Sequence, residues 1–201
     1  MKIIAATHNK GKIREFREIL GKLGFEVISQ NEAGIDVEPE ETGKTFSENA
    51  LIKARAIAEL ADGAAVMADD SGLCVEVLDG RPGVYSARYA GENATDGDRI
   101  KKLLSELKGK TNRKAKFVSA IAFIFPDGEE ITTIGETHGT IAEEPFGSGG
   151  FGYDPLFFFE PLGKTFASMT PEEKNAVSHR GKAMREFARR FSEELKARGS
   201  N

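Results

Sequence analysis

An α/β fold built on a mixed β-sheet flanked by helices is predicted, and two stretches of the chain predict it. The opening runs from a short strand at Lys2–Ala6 through a polar turn at Thr7–Lys12. An amphipathic segment carrying Ile13, Phe16, Ile19, Leu20 and Leu23 follows, then a second strand at Phe25–Ile28. That is a strand–turn–helix–strand unit. Farther on, Phe117–Phe125 is apolar on both faces, as a central strand must be. Pro126-Asp127-Gly128 turns it back into an antiparallel return strand at Glu130–Ile141, which makes the sheet mixed.

The remaining elements follow in order. Asn31–Thr42 is an acidic loop with Glu38, Glu40 and Glu41. Thr45-Phe46-Ser47-Glu48 is a capping box that starts a helix with Ala50, Ala54, Ile57, Ala58 and Ala61 as its buried stripe. Asn49 and Lys53 share another face of that helix. Asp62-Gly63 stops it. Ala64–Ala68 reads as a short buried strand and Leu73–Leu78 as another, with Asp69-Asp70-Ser71-Gly72 between them. Gly80–Gly83 is a turn, and Val84–Asn93 is irregular. Thr95 with Asp98 opens a helix packed through Ile100, Leu103, Leu104 and Leu107. Lys108–Lys114 is a basic loop, and Glu143–Pro161 is a loop rich in glycine and aromatics. Pro171–Asn175 is one helical turn. A last helix begins at Ser178 and buries Met184, Phe187, Ala188, Phe191 and Leu195, ahead of a frayed tail at Arg198–Asn201.

The whole chain sets bounds on function. Its 201 residues fit one domain, taken as 1–201. Charged residues make up 30% and no long apolar run occurs, so a soluble protein with no membrane partner is expected. Met1–Thr7 is too short and polar for a signal peptide or membrane span. One cysteine, Cys74, excludes an internal disulfide and fits a cytoplasmic location. A net charge of −4 argues against a nucleic-acid partner.

Some motifs are decoys. Gly147–Gly152 has dinucleotide-fingerprint spacing, but no strand leads in and Pro155 forbids the helix that would hold a pyrophosphate. Gly-Lys-Thr occurs at Gly43, Gly109 and Gly163. A P-loop needs a glycine five residues earlier, where Glu38, Leu104 and Phe158 stand. His8, His138 and His179 lack zinc-ligand spacing.

Four groupings remain. Thr7, His8, Asn9, Lys10, Gly11 and Lys12 form a turn before a helix, which can serve as a phosphate cradle or as an ordinary connection. His179, Arg180 and Lys182 place cations in the first turn of the last helix, against its dipole, an arrangement that calls for an anion; Lys174 lies just upstream. Glu40, Glu41, Asp69 and Asp70 are hard oxygen donors of the kind Mg²⁺ prefers. Asp69 and Asp70 are neighbours on a strand, so their side chains point opposite ways and do different work. Phe151, Gly152, Tyr153 and Asp154 form an aromatic, glycine-flanked loop that can stack on a base or plug the core. Cationic phosphate contacts, carboxylates and a stacking loop together make a nucleoside triphosphate site.

Seven segments carry a family likeness: Thr7–Lys12, Glu41–Gly43, Phe46–Ala50, Ala68–Leu73, Pro82–Tyr89, Gly149–Pro155 and Ser178–Gly181. In this order they resemble the inosine triphosphate pyrophosphatase family. The resemblance implies hydrolysis of ITP, dITP and XTP to the monophosphate and pyrophosphate, with Mg²⁺ and a homodimer. It implies an elongated sheet with two lobes around a central substrate cleft. Thr7–Lys12 would bind triphosphate, with Lys10 a variable position. Glu41 and Asp70 would hold the metal, with Asp70 the catalytic base. Ser71, Lys53 and Lys174 would contact substrate, and Phe151–Asp154 with His179 and Arg180 would hold the base. Rival readings are a Maf-like pyrophosphatase for modified or ordinary nucleotides and a nucleotide sensor without turnover.

Overall fold

The computed structural model describes residues 1–199. Seven strands form one sheet: β1 (Lys2–Ala5), β2 (Glu26–Ser29), β3 (Ala65–Val75), β4 (Lys114–Ile124), β5 (Glu130–Ile141), β6 (Phe157–Phe159) and β7 (Lys164–Thr165), in the order β2-β1-β3-β4-β5-β6-β7. β1 runs parallel to β2 and β3, pairing Ile3 with Val27 and with Ala65. β6 runs antiparallel to β5 and β7. The sheet is therefore mixed. The helices are α1 (Lys10–Gly21), α2 (Phe46–Ala58), α3 (Asp96–Glu106), α4 (Pro171–Val177) and α5 (His179–Gly199). None among the described residues is long and apolar enough to cross a membrane. The chain divides into two compact units.

Among the described residues the first unit comprises 1–70, 119–135 and 179–199. One of its cores joins Phe16 and Leu20 of α1, Met67 of β3, Phe123 of β4, and Phe187 and Phe191 of α5. Phe123 and Phe187 lie 4.9 Å apart between ring centroids. The other core sets Ala50, Ala54 and Ile57 of α2 against Ala68, Ala120 and Ala122. Small residues on both sides let α2 lie close to the strands. Thr45 and Glu48 form the capping box expected there.

α5 also approaches β5 closely. A Cβ built on Gly135 would lie 2.1 Å from the His179 carbonyl oxygen and 2.4 Å from the Ala183 nitrogen. Neither backbone atom can move without shifting the helix. Gly135→Ala is expected to lower stability by about 2 kcal/mol or more, read as a lower urea midpoint. An unchanged midpoint would mean that α5 is free to shift.

The second unit comprises residues 71–118 and 136–178. Its core joins Leu73, Leu103, Phe117, Phe157 and Phe166. The Phe117 and Phe157 centroids lie 4.7 Å apart.

Several expectations need correction. Ala64–Ala68 and Leu73–Leu78 are not separate strands. β3 runs unbroken through both aspartates, and Glu76–Leu78 is a 3-10 turn. Cationic partners inside the fold remove the need for a polar break. Gly83–Arg88 is a 3-10 helix. The Glu143–Pro161 loop contains β6, whose three residues are too few to carry a period. Leu23 and Leu195 are about half exposed, because α1 ends at Gly21 and the α5 stripe turns outward past Phe191. Arg198 and Gly199 continue α5 rather than fraying. The rest of the expected tail, Ser200 and Asn201, lies outside the described residues.

Candidate active site

In the first unit, adjacent aspartates on β3 meet different partners. Asp69 is fully buried. Its Oδ1 accepts a hydrogen bond from Ser119 Oγ at 2.5 Å. Its Oδ2 lies 2.8 Å from Lys12 Nζ and 3.0 Å from an Arg180 nitrogen. Arg180 also pairs with Glu15, which is buried too. The four charges, Glu15, Asp69, Lys12 and Arg180, balance. Burial alone would raise the Asp69 carboxyl, but Arg180 and Lys12 outweigh it and hold the group well below the usual carboxylate range. Burial pulls Lys12 down despite Asp69. Burial also opposes the charge on Arg180, yet Asp69 and Glu15 push its proton affinity up.

Asp70 faces a different set. Its Oδ2 accepts from Asn49 Nδ2 at 3.2 Å, and its Oδ1 from Lys53 Nζ at 3.2 Å. Lys53 Nζ also reaches Glu41 Oε1 at 2.7 Å. Asn49 and Lys53 lie one turn apart on α2, which aims both at the strand. Burial raises the Asp70 carboxyl, and Lys53 only partly offsets it. Burial would lower Lys53, but Asp70 and Glu41 together raise it. Gly43 completes the arrangement: its N–H donates to Asn49 Oδ1 at 2.8 Å, and a Cβ there would stand 2.6 Å from that same oxygen.

Among the described residues no group of three or more His, Cys, Asp or Glu gathers as a metal nest. Glu41 and Asp70, bridged by one lysine, are two hard oxygen donors of the kind a divalent cation takes. Mg²⁺ takes one or two carboxylates from a protein and the rest from water and phosphate.

The first turn is held by its own side chains. Asn9 caps α1, its Oδ1 accepting from the Gly11 and Lys12 N–H groups at 2.8 and 3.1 Å. Thr7 Oγ1 accepts from the Asn9 N–H at 3.1 Å. His8 and Lys10 are exposed, and Gly11 and Lys12 are half-buried.

In the second unit, the loop at Phe151–Asp154 closes on itself. The Phe151 N–H and Lys174 Nζ both donate to Asp154 Oδ2, at 2.8 and 2.7 Å. Lys174 Nζ also lies 5.0 Å from the Phe151 ring centroid. Gly150 has φ +71°, and a Cβ there would stand 2.1 Å from Asp154 Oδ2. The Gly152 N–H donates to Asp96 Oδ2 at 2.7 Å. Tyr153 is buried, and its hydroxyl donates to the Ser86 carbonyl at 3.0 Å. Tyr153 therefore plugs the core, while Phe151 stays half-buried. Ser71 is half-buried on β3.

One expectation is revised here. The cations opening α5 do not wait together on an outside anion: Arg180 is 1% exposed and held by two internal carboxylates. His179 is buried beside it, and Lys182 is exposed. Glu15, Ser119 and Asp96 were not anticipated. Glu15 sits next to Phe16 in an amphipathic helix, and nothing local marks it as buried. Asn49 had a signal, its shared face with Lys53.

A family model described as the Ham1 family matches residues 3–190. The chain is 52% identical over 188 residues to a Bacillus subtilis protein named dITP/XTP pyrophosphatase, covering 92% of this chain and 94% of that one. It is 47% identical over 188 residues to the Escherichia coli O157:H7 protein of the same name, covering 92% and 94%. The structure of the Staphylococcus aureus Ham1 protein superposes with a TM-score of 0.85 at 43% identity, covering 96% of this chain and 100% of that one.

Proposed function

The chain belongs to the Ham1 family, and from that premise we propose that it hydrolyses the deaminated purine nucleotides ITP, dITP and XTP to the monophosphate and pyrophosphate. The observation that carries this reading is the Asp70–Lys53–Glu41 cluster, in which Lys53 of α2 bridges the two carboxylates. A site that only bound nucleotide would have no use for a buried carboxylate whose proton affinity is raised by burial beside a lysine.

Glu41 and Asp70 would hold Mg²⁺, which when bound polarises a phosphate and neutralises charge on it. Asp70 takes the proton of the attacking water; burial raises its proton affinity, which suits a general base. Lys53 steadies the Asp70 carboxylate. The Thr7–Lys12 turn binds the triphosphate through groups outside its own cap, since the Asn9, Gly11 and Lys12 N–H groups already bond Thr7 Oγ1 and Asn9 Oδ1; Lys12, shared with Asp69, adds positive charge to the turn. Ser71 adds a polar contact to the substrate.

Base recognition is assigned to Phe151 by stacking, and to Gly152, Asp154 and Lys174 as the frame that holds it. From the start of α5 we assign it to His179, since Arg180 is committed to Glu15 and Asp69. A donor facing the 6-keto oxygen of hypoxanthine or xanthine would meet another donor in adenine and stay unpaired. The family model runs across both units, which supports reading them as one catalytic domain. A homodimer in the cytoplasm completes the proposal.

The test is incubation with ITP, dITP, XTP, ATP and GTP plus Mg²⁺, with the products identified. The deaminated nucleotides should yield monophosphate and pyrophosphate, with ATP turned over at least about a hundredfold more slowly. Release of orthophosphate, or preference for ATP or for modified pyrimidines, would overturn the reading.

A further inference from the structure

Gln30 follows β2 directly and is 2% exposed. Its backbone N–H donates to the Ala5 carbonyl at 3.0 Å, and its own carbonyl accepts from Ile35 at 2.9 Å. This places the side chain where β1 gives way to the first turn. Its Nε2 lies 2.7 Å from the Val37 carbonyl oxygen, 3.0 Å from His8 Nε2 and 3.5 Å from the Ile35 carbonyl oxygen, so its two protons go to the nearer pair.

These contacts settle the proton positions. A carbonyl only accepts, so the Gln30 nitrogen and not its oxygen must face Val37. An amide nitrogen only donates, so His8 Nε2 must accept. A neutral imidazole that accepts at Nε2 carries its proton on Nδ1. The other tautomer, or the doubly protonated ring, would set donor against donor.

We propose that Gln30 is a positioning residue that fixes His8 as the Nδ1–H tautomer, so that the first turn offers a neutral N–H donor to the triphosphate. The same amide, through Val37, anchors the acidic loop a few residues ahead of Glu41 and ties it to the turn. The tautomer stands on the hydrogen-bond inventory alone; its use in substrate binding rests on the proposed function.

The test is a ¹⁵N spectrum of histidine-labelled protein in mildly alkaline buffer, with His8 assigned by the signals lost in His8→Asn. The expected result is a protonated Nδ1 and an unprotonated Nε2 at His8, with this preference lost in Gln30→Leu. A wild-type ring protonated at Nε2 would overturn the proposal without any variant having to fold. In kinetics, Gln30→Leu should raise KM for dITP about three- to tenfold, the loss of one hydrogen bond, with kcat changed less than about twofold. A KM equal to wild type would overturn the positioning role. Should wild-type protein turn over no nucleotide, the functional reading fails, while the spectrum still decides the tautomer.

Discussion

Asp69→Asn is expected to cost about 3–5 kcal/mol of stability, the range for removing one partner of a buried ion pair. Asp69 is fully buried and is the carboxylate that Arg180 and Lys12 share. An amide could keep the Ser119 contact but would leave both cations undercompensated. Lys12 can escape by losing its proton, which burial already favours. Arg180 cannot, and would lose Asp69 while keeping Glu15. Urea unfolding measures the loss. Adding Arg180→Met should recover part of it, because the stranded charge goes too. The acid limb gives a second readout. The folded-state value of Asp69 lies below its unfolded value, so its contribution is complete above about pH 4 and is lost as pH falls through the folded value. The Asp69→Asn protein should lack this part of the acid dependence. Equal stability of variant and wild type would mean that the network does not hold the fold.

Asp70→Asn should do the reverse. Turnover of dITP is expected to fall about 10²–10⁴-fold, the span attributed to a general base, while stability shifts by no more than about 1 kcal/mol. Burial makes the ionised Asp70 carboxyl costly, so an uncharged replacement is tolerated there. Asparagine retains acceptor capacity toward Asn49 or Lys53, and Lys53 keeps Glu41. Steady-state kinetics with pyrophosphate detection reads the effect. Wild-type turnover would remove Asp70 from the chemistry.

Much of the framework was legible because local signals agreed with the fold. Thr45 and Thr95 each sit three residues before a carboxylate, and both capping boxes form. Phe117–Phe125 is apolar on both faces, and all of it but Phe125 lies within β4 of the sheet. The turn at Pro126–Gly128 leads into β5 with the expected bounds. Where reading failed, the cause was long range. A pair of aspartates reads as a break in a strand until Lys12, Arg180 and Lys53 are brought to it from α1, α5 and α2. The same contacts account for the charge of Arg180 in the first turn of α5. Arg180 finds its anions on α1 and β3, 165 and 111 residues away in the chain. Glu15 is hidden for the same reason: its partner is not a neighbour on its helix. In the site, the distinct work of Asp69 and Asp70 follows from strand alternation, but which of them meets Lys53 depends on where α2 packs.

The most direct test binds dITP with Mg²⁺ to Asp70→Asn protein in a calorimeter and then analyses the same solution for products. The account predicts affinity within a fewfold of the wild-type KM and almost no pyrophosphate. Rapid pyrophosphate release from that mixture would contradict it.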